Sequence, residues 1–226
     1  METIIISLGG SLIVPSGIDV EFLKSFKEII TSQVNKKSTK FVIITGGGNT
    51  AREYIESAKA LGVTNTDELD WVGIASTRLN GGLVRVSFGD IADEKIIMNP
   101  DVVHASAKPV LVGAGWQPGN SSDLAAVHIA KSLNAKKLVN LSNIDYVYDK
   151  DPRKFPDAVK IENVSWADFR KILPENWNPG LSAPFDPIAA REAEELGIEV
   201  LIMNGKNLPN LKSFLNNEKF IGTHIK

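Results

Sequence analysis

Three short glycine-rich runs, each directly after an apolar run, carry the chemistry most visible in this chain. They are Leu8-Gly9-Gly10-Ser11, Gly46-Gly47-Gly48-Asn49 and Gly113-Ala114-Gly115. Where a strand gives way to a helix, the first backbone N–H groups are unpaired and the helix dipole favours negative charge, so a phosphate can dock there. Glycine lets the main chain approach phosphate oxygens and tolerates positive φ. A single loop of this kind is more simply a tight turn, whereas three in one chain point to a phosphate site. The sequence contains neither a GxxxxGK[ST] loop nor a GxGxxG turn, which argues against P-loop and Rossmann sites.

Arg52 falls just past the second loop, in the first turn of the helix expected there. A guanidinium can grip a phosphate through two parallel hydrogen bonds, which a lysine cannot. Ser121-Ser122-Asp123 precedes an apolar helical run. That pattern is an ordinary N-cap, which explains it fully at the local level. His104, His128 and His224 have no zinc-ligand spacing, and no metal site built by the protein is expected.

The elements that must position these residues alternate between strand and helix. Apolar runs at Thr3–Leu8, Phe41–Ile44, Pro109–Val112, Lys137–Leu141 and Ile198–Met203 read as strands, with a terminal strand at Gly222–Ile225. Helical periodicity covers Asp19–Val34, Thr50–Leu61, Asp67 to about Val86, Ser122–Leu133, Pro187–Leu196 and Leu208–Leu215. Gly81-Gly82 weakens the third of these by roughly 1 kcal/mol per glycine. Gly9-Gly10 reads as a tight turn. Asp149 to Pro184, rich in Pro, Asn, Asp and Trp, is the least structured stretch and a candidate lid. The alternation predicts an α/β fold, a three-layer α/β/α sandwich with a largely parallel central sheet.

Composition agrees with that class. The chain has 226 residues, 43% hydrophobic and 23% charged, enough for one large domain with a substantial core. With no cysteine, disulfides, thiolate nucleophiles and Cys-ligated zinc are excluded. A net charge of −2 gives no basic footprint for nucleic acid, and no apolar run is long enough for a bilayer. METIIISLGG lacks a basic flank and runs straight into a strand, so it is not expected to be a signal peptide. A soluble, cytoplasmic protein without nucleic-acid or membrane partners is expected.

The order LGGS, ITGGGNTAR, DWVG, PGNSSDLAAVHIA, NIDYVYDKDPR, FDPIAA resembles the amino acid kinase superfamily, and within it the archaeal-type uridylate (UMP) kinases, along essentially the whole chain. The resemblance implies a single domain over residues 1–226. Its first part, to about residue 105, would face the acceptor nucleotide, and its second, from about 106, the ATP. It also implies Mg²⁺-dependent phosphorylation of UMP to UDP, and a hexamer built as a trimer of dimers.

By similarity, Gly46, Gly47 and Gly48 would surround the acceptor phosphate with N–H groups, and Arg52 would clamp it. Asp70 would accept hydrogen bonds from the ribose hydroxyls, and Ser122 would lie near the acceptor nucleotide. Gly10 and Asp123 would sit at the transfer centre, Asp123 as an organiser and not as a base. Gly9, Ser11, Asn143, Tyr148 and Asp151 would face ATP. Thr77 and Arg78 match the archaeal-type Thr-Arg pair, with Arg78 either near phosphate or bridging subunits. Trp71 and Trp116 would either line the nucleobase site or pack in the core.

Two departures stand out. Ser7 occupies the position where many superfamily members have a lysine, leaving Mg²⁺, Arg52, Lys150 or Lys206 to supply that charge. Tyr146 replaces a usual glycine. They keep open a kinase of the same fold acting on another small phosphate or carboxylate acceptor, or a nucleotide-binding protein with weak activity.

Overall fold

The computed structural model describes residues 2–37, 39–174 and 183–226. In chain order the strands are β1 (Thr3–Leu8), β2 (Lys40–Thr45), β3 (Ala92–Ile97), β4 (Val110–Gly113), β5 (Lys137–Ser142), β6 (Val147–Tyr148), β7 (Lys160–Ile161), β8 (Asn163–Val164), β9 (Glu199–Asn204) and β10 (Thr223–Ile225). The helices are α1 (Gly10–Ile13), α2 (Val20–Lys37), α3 (Gly48–Ala60), α4 (Thr66–Phe88), α5 (Ser122–Ser132), α6 (Trp166–Lys171), α7 (Pro187–Glu195) and α8 (Leu208–Leu215).

Eight strands form one sheet in the order β3-β4-β2-β1-β5-β9-β10-β8. From β3 to β9 every pairing is parallel, and β10 returns antiparallel to β9. Side chains alternate across this sheet, as period-2 geometry requires. Ile4, Ile6, Leu8, Phe41, Ile43, Val110 and Val112 face one core, with Phe26 of α2, Val84 and Phe88 of α4 and Leu211 of α8. Ile5, Val42, Ile44, Leu111 and Leu138 face the other, with Val127 of α5, Phe169 of α6 and Ala190 of α7. Two cores on opposite faces of one sheet make the expected three-layer sandwich.

The strand order reverses at β1, which has β2 on one side and β5 on the other. In open parallel sheets the crevice outside the carboxyl ends at such a switch point is where ligands bind. All three glycine runs lie at that end of the sheet, after β1, β2 and β4.

Three local expectations are corrected. Gly10–Ile13 is a helical turn, not a bare tight turn, with the N–H groups of Leu12 and Val14 donating back to the carbonyls of Gly9 and Gly10. β3 was not anticipated because ADEKII carries three charged residues, as an edge strand does. Within Asp149–Pro184, the described residues include β7, β8 and α6. Ser165 caps α6, and Trp166 and Phe169 are buried in the core, so this part is anchored and is no lid. The remainder of that candidate lid, residues 175–182, lies outside the described residues. As the helical period predicts, α4 runs through Gly81-Gly82. A Cβ at Gly81 would lie 3.2 Å from Thr45 Oγ1, so this glycine lets the helix approach the end of β2.

Candidate active site

The first two glycine loops touch through main chain alone. A Cβ on Gly10 would come within 2.0 Å of the Gly48 nitrogen, and Gly48 itself has φ +64°. Backbone cannot yield as a flexible side chain can, so both positions require glycine. Gly10→Ala is expected to lower Tm by about 10 °C or more, or to prevent folding, through this overpacking. Gly17→Ala, where a Cβ meets nothing within 4 Å, is the matched control with little change. Thermal melts of the two variants check the contrast.

The second loop is held from below by α4. Asn80, buried in mid-helix, donates from Nδ2 to the carbonyls of Gly46 (2.8 Å) and Gly47 (3.1 Å). The Gly46 N–H, expected to face an anion, instead continues the parallel ladder by donating to the Leu8 carbonyl at 3.0 Å. That leaves Gly47 and Gly48 as the loop amides for an anion, at the start of α3, where no side chain caps the helix. Arg52 is exposed one turn further on and forms no ion pair among the described residues. Asp70 is half-buried on α4 and accepts from the Gly119 N–H at 3.0 Å.

Asp123 is braced from three elements. Ser7 and Asn140 are register partners on β1 and β5 and point to the same face. Both donate to Asp123 Oδ1, Ser7 Oγ at 3.1 Å and Asn140 Nδ2 at 3.2 Å. The N–H of Asp186 donates to Oδ2 at 3.3 Å. Asp186 is buried at the N-cap of α7, where its Oδ1 accepts from the N–H groups of Ile188 and Ala189. Its Oδ2 accepts from Ser121 Oγ, and Ser121 in turn caps α5 by accepting from the Leu124 N–H. Ser7 therefore does more than vacate a lysine position, because it holds the carboxylate. Ser122 is the first residue of α5, beside Asp123 and half-buried.

Burial of Asp123, reinforced by the neighbouring Asp186 carboxylate, raises its pKa from 3.8 to about 7, against the opposing bonds from Ser7 and the Asp186 N–H. The folded state thus keeps a proton that the unfolded chain releases between about pH 4 and 7. Its stability contribution is present at low pH and is lost as pH rises through that window. Asp123→Asn does not titrate. The Tm of the variant minus that of the parent is therefore expected to grow from pH 5 to pH 8. Melts at pH 5, 6, 7 and 8 check this, and a constant difference contradicts it.

Beyond β5 a cavity of about 440 Å³ is lined by Asn143, Tyr148, Asp151 and Ile172 among others. Three residues assigned to ATP by resemblance thus line one cavity. Gly9 is joined to its base by its N–H donating to the Leu141 carbonyl at 3.1 Å. Ser11 does not line the cavity but lies on α1 nearby. Asp151 receives the Nε and Nη2 of Arg153, which hold its pKa below the usual carboxylate range. Lys150 pairs with Asp157 at 2.6 Å, and Lys206 is exposed just past β9.

Asn80, Asn140 and Asp186 were missed as site residues. Asn80 and Asn140 could have been flagged as polar residues inside apolar stretches, and Asp186 as a carboxylate before Pro187 at a helix start.

A doubly wound sheet with anion-suited amides on one side of its switch point, a nucleotide-sized cavity on the other and a braced carboxylate between them defines a protein built to handle phosphoryl groups. The chain belongs to the amino acid kinase family, whose model matches residues 2–204. It is 32% identical to the uridylate kinase of Methanospirillum hungatei, covering 100% of this chain and 95% of that one. With the uridylate kinase of Sulfolobus acidocaldarius it shares 34% identity over 91% of each. The crystal structure of uridylate kinase from Archaeoglobus fulgidus superposes over 100% of both chains with a TM-score of 0.84 at 29% identity.

Proposed function

We propose that this chain is a uridylate kinase, transferring the γ-phosphoryl group of ATP to UMP to give UDP and ADP. The observation that carries this reading is the placement of Asp123 between two differently equipped sides of one crevice. On one side are the Gly47 and Gly48 amides with Arg52 and Asp70. On the other is the cavity of Asn143, Tyr148 and Asp151. The acceptor side draws mainly on residues up to about 105, joined by Ser122, and the ATP side on residues from about 106, joined by Gly9 and Ser11.

Arg52 and the loop amides hold the UMP phosphate, and Asp70 accepts from the ribose hydroxyls, which an ionised carboxylate suits as an acceptor-only group. The attacking phosphate oxygen is already an anion near neutral pH, so no strong base is needed. Alignment and charge stabilisation do the catalysis. Asp123 orients the transferring group, its direction fixed by Ser7, Asn140 and Asp186. Gly10 keeps the two phosphate loops at contact distance.

An Mg²⁺ ion carried on a triphosphate needs only one or two carboxylates from the protein. Among the described residues no three His, Asp or Glu converge as a metal site. Asp123 accepts three bonds and keeps acceptor capacity on Oδ2, so the donor set fits an ion arriving with the nucleotide. When bound, it would be held by Asp123 together with the nucleotide and would supply positive charge to offset the charge developing on the transferred phosphoryl group.

Assembly as a hexamer, a trimer of dimers, is supported by apolar side chains left in water around α3 and α4: Tyr54 (65% exposed), Leu61 (86%), Leu79 (68%) and Val86 (55%). Light scattering measures that state. A cytoplasmic location follows from the substrates; among the described residues no helix is long and apolar enough to cross a membrane. The function is tested by coupled ADP release with ATP, Mg²⁺ and UMP, CMP or small acids as acceptors. Turnover selective for UMP is expected. Turnover only with another acceptor, or tight UMP binding without turnover, overturns the reading.

A further inference from the structure

The segment from Gly115 to Gly119 crosses α4 as a strap, and α4 holds it at both ends. At one end Thr77 Oγ1 accepts from the Gly115 N–H at 2.8 Å. The next residue, Arg78, donates from Nε to the Gly115 carbonyl at 3.2 Å and from Nη2 to the Trp116 carbonyl at 3.0 Å. The guanidinium lies over the Trp71 ring, 5.7 Å from its centroid. At the other end Gly119, with φ +78°, donates its N–H to Asp70 Oδ2. Arg78 has no carboxylate partner among the described residues, and its Nε and Nη2 are engaged by the strap.

We propose that Arg78 is a positioning residue for the acceptor nucleotide, holding the strap so that Gly119 fixes the Asp70 carboxylate. This rests on the reading of Asp70 as the ribose acceptor. Gly119 engages Oδ2 and leaves Oδ1 and the remaining lone pairs for a vicinal diol. A carboxylate already held in one orientation loses less rotamer freedom when the diol binds. Two successive carbonyls need two donors in fixed geometry, which a guanidinium has and an ammonium lacks. The same strap leads into Ser121 and Asp123, but those residues are independently braced by Asp186, Ser7 and Asn140. Loss of Arg78 is therefore felt at Asp70 and not at the transfer centre.

The test compares Arg78→Met, Arg78→Lys, Asp70→Asn and the Arg78→Met/Asp70→Asn double variant. Readouts are KM for UMP, KM for ATP, and hydrogen exchange of the 115–119 amides without nucleotide. Arg78→Met is expected to raise the UMP KM about tenfold, the scale of one polar contact, with ATP KM within about twofold and faster strap exchange. Arg78→Lys should recover part of the UMP KM. In the Asp70→Asn background the Arg78 change should add less than about twofold, as coupled sites do. An unchanged UMP KM, equal rises for both substrates, or full additivity overturns the proposal, and if Arg78→Met does not fold, Arg78→Lys decides on the same readouts. A parent enzyme that does not turn over UMP fails the functional reading instead, while the exchange measurement still reports whether Arg78 holds the strap.

Discussion

Asp123→Asn is expected to lower kcat by on the order of 10³-fold while leaving both KM values within a few-fold, the range seen when a preorganised charged group is lost from a transfer site. The side chains are nearly the same size, so packing around α5 is kept. What changes is the group that Ser7, Asn140 and the Asp186 N–H all address as donors. An asparagine can present its oxygen to Ser7 and Asn140, but its NH₂ then faces the Asp186 N–H, donor against donor. The negative charge that orients the transferring group is also gone. Steady-state kinetics with ATP, Mg²⁺ and UMP separate the two constants. A fall in kcat of less than tenfold would reduce Asp123 to a structural part of the α5 N-terminus.

Arg52→Ala should act in the opposite manner, on binding. It is expected to raise the UMP KM by on the order of 10²-fold, the upper range for a charge-assisted contact, with ATP KM changed by less than about threefold. Arg52 stands one turn into α3 from the uncapped Gly47 and Gly48 amides, exposed and without an ion-pair partner among the described residues. Its removal should therefore cost little stability, and the melting temperature serves as the control. Equal effects on the two substrates would remove Arg52 from the acceptor side.

The sheet was legible in the sequence wherever strands are buried on both faces. TIIISL, FVII, VLV and KLVNL are apolar runs that only a central parallel strand explains. β3 escaped because an edge strand has a wet side, and α6 because six residues give too little periodicity to stand out from Pro- and Asp-rich surroundings. The glycine loops, Arg52, Asp70 and Asp123 were legible because each is chemically distinctive at its own position. The braces were not. That Ser7 lies opposite Asn140 is a fact of β1–β5 register, and that Asp186 reaches Ser121 depends on how α7 packs against α5. Arg78 shows the same limit, since only the folded strap reveals which carbonyls its fork meets.

The order of the sheet also bears on how the chain reaches this structure. β1 is synthesised first and sits in the middle, yet its partner β5 begins only at Lys137, and β3 cannot pair until β4 begins at Val110. Residues 1–105 on their own would expose one unpaired side of β1, one of β2 and the whole of β3. A nascent chain stopped there has two open sheet edges and no independent fold to retreat to, the condition in which strands pair wrongly with other chains. Productive folding must wait for the second half, and the slowest step should be the joining of β5 to β1, the same joining that brings Asn140 opposite Ser7.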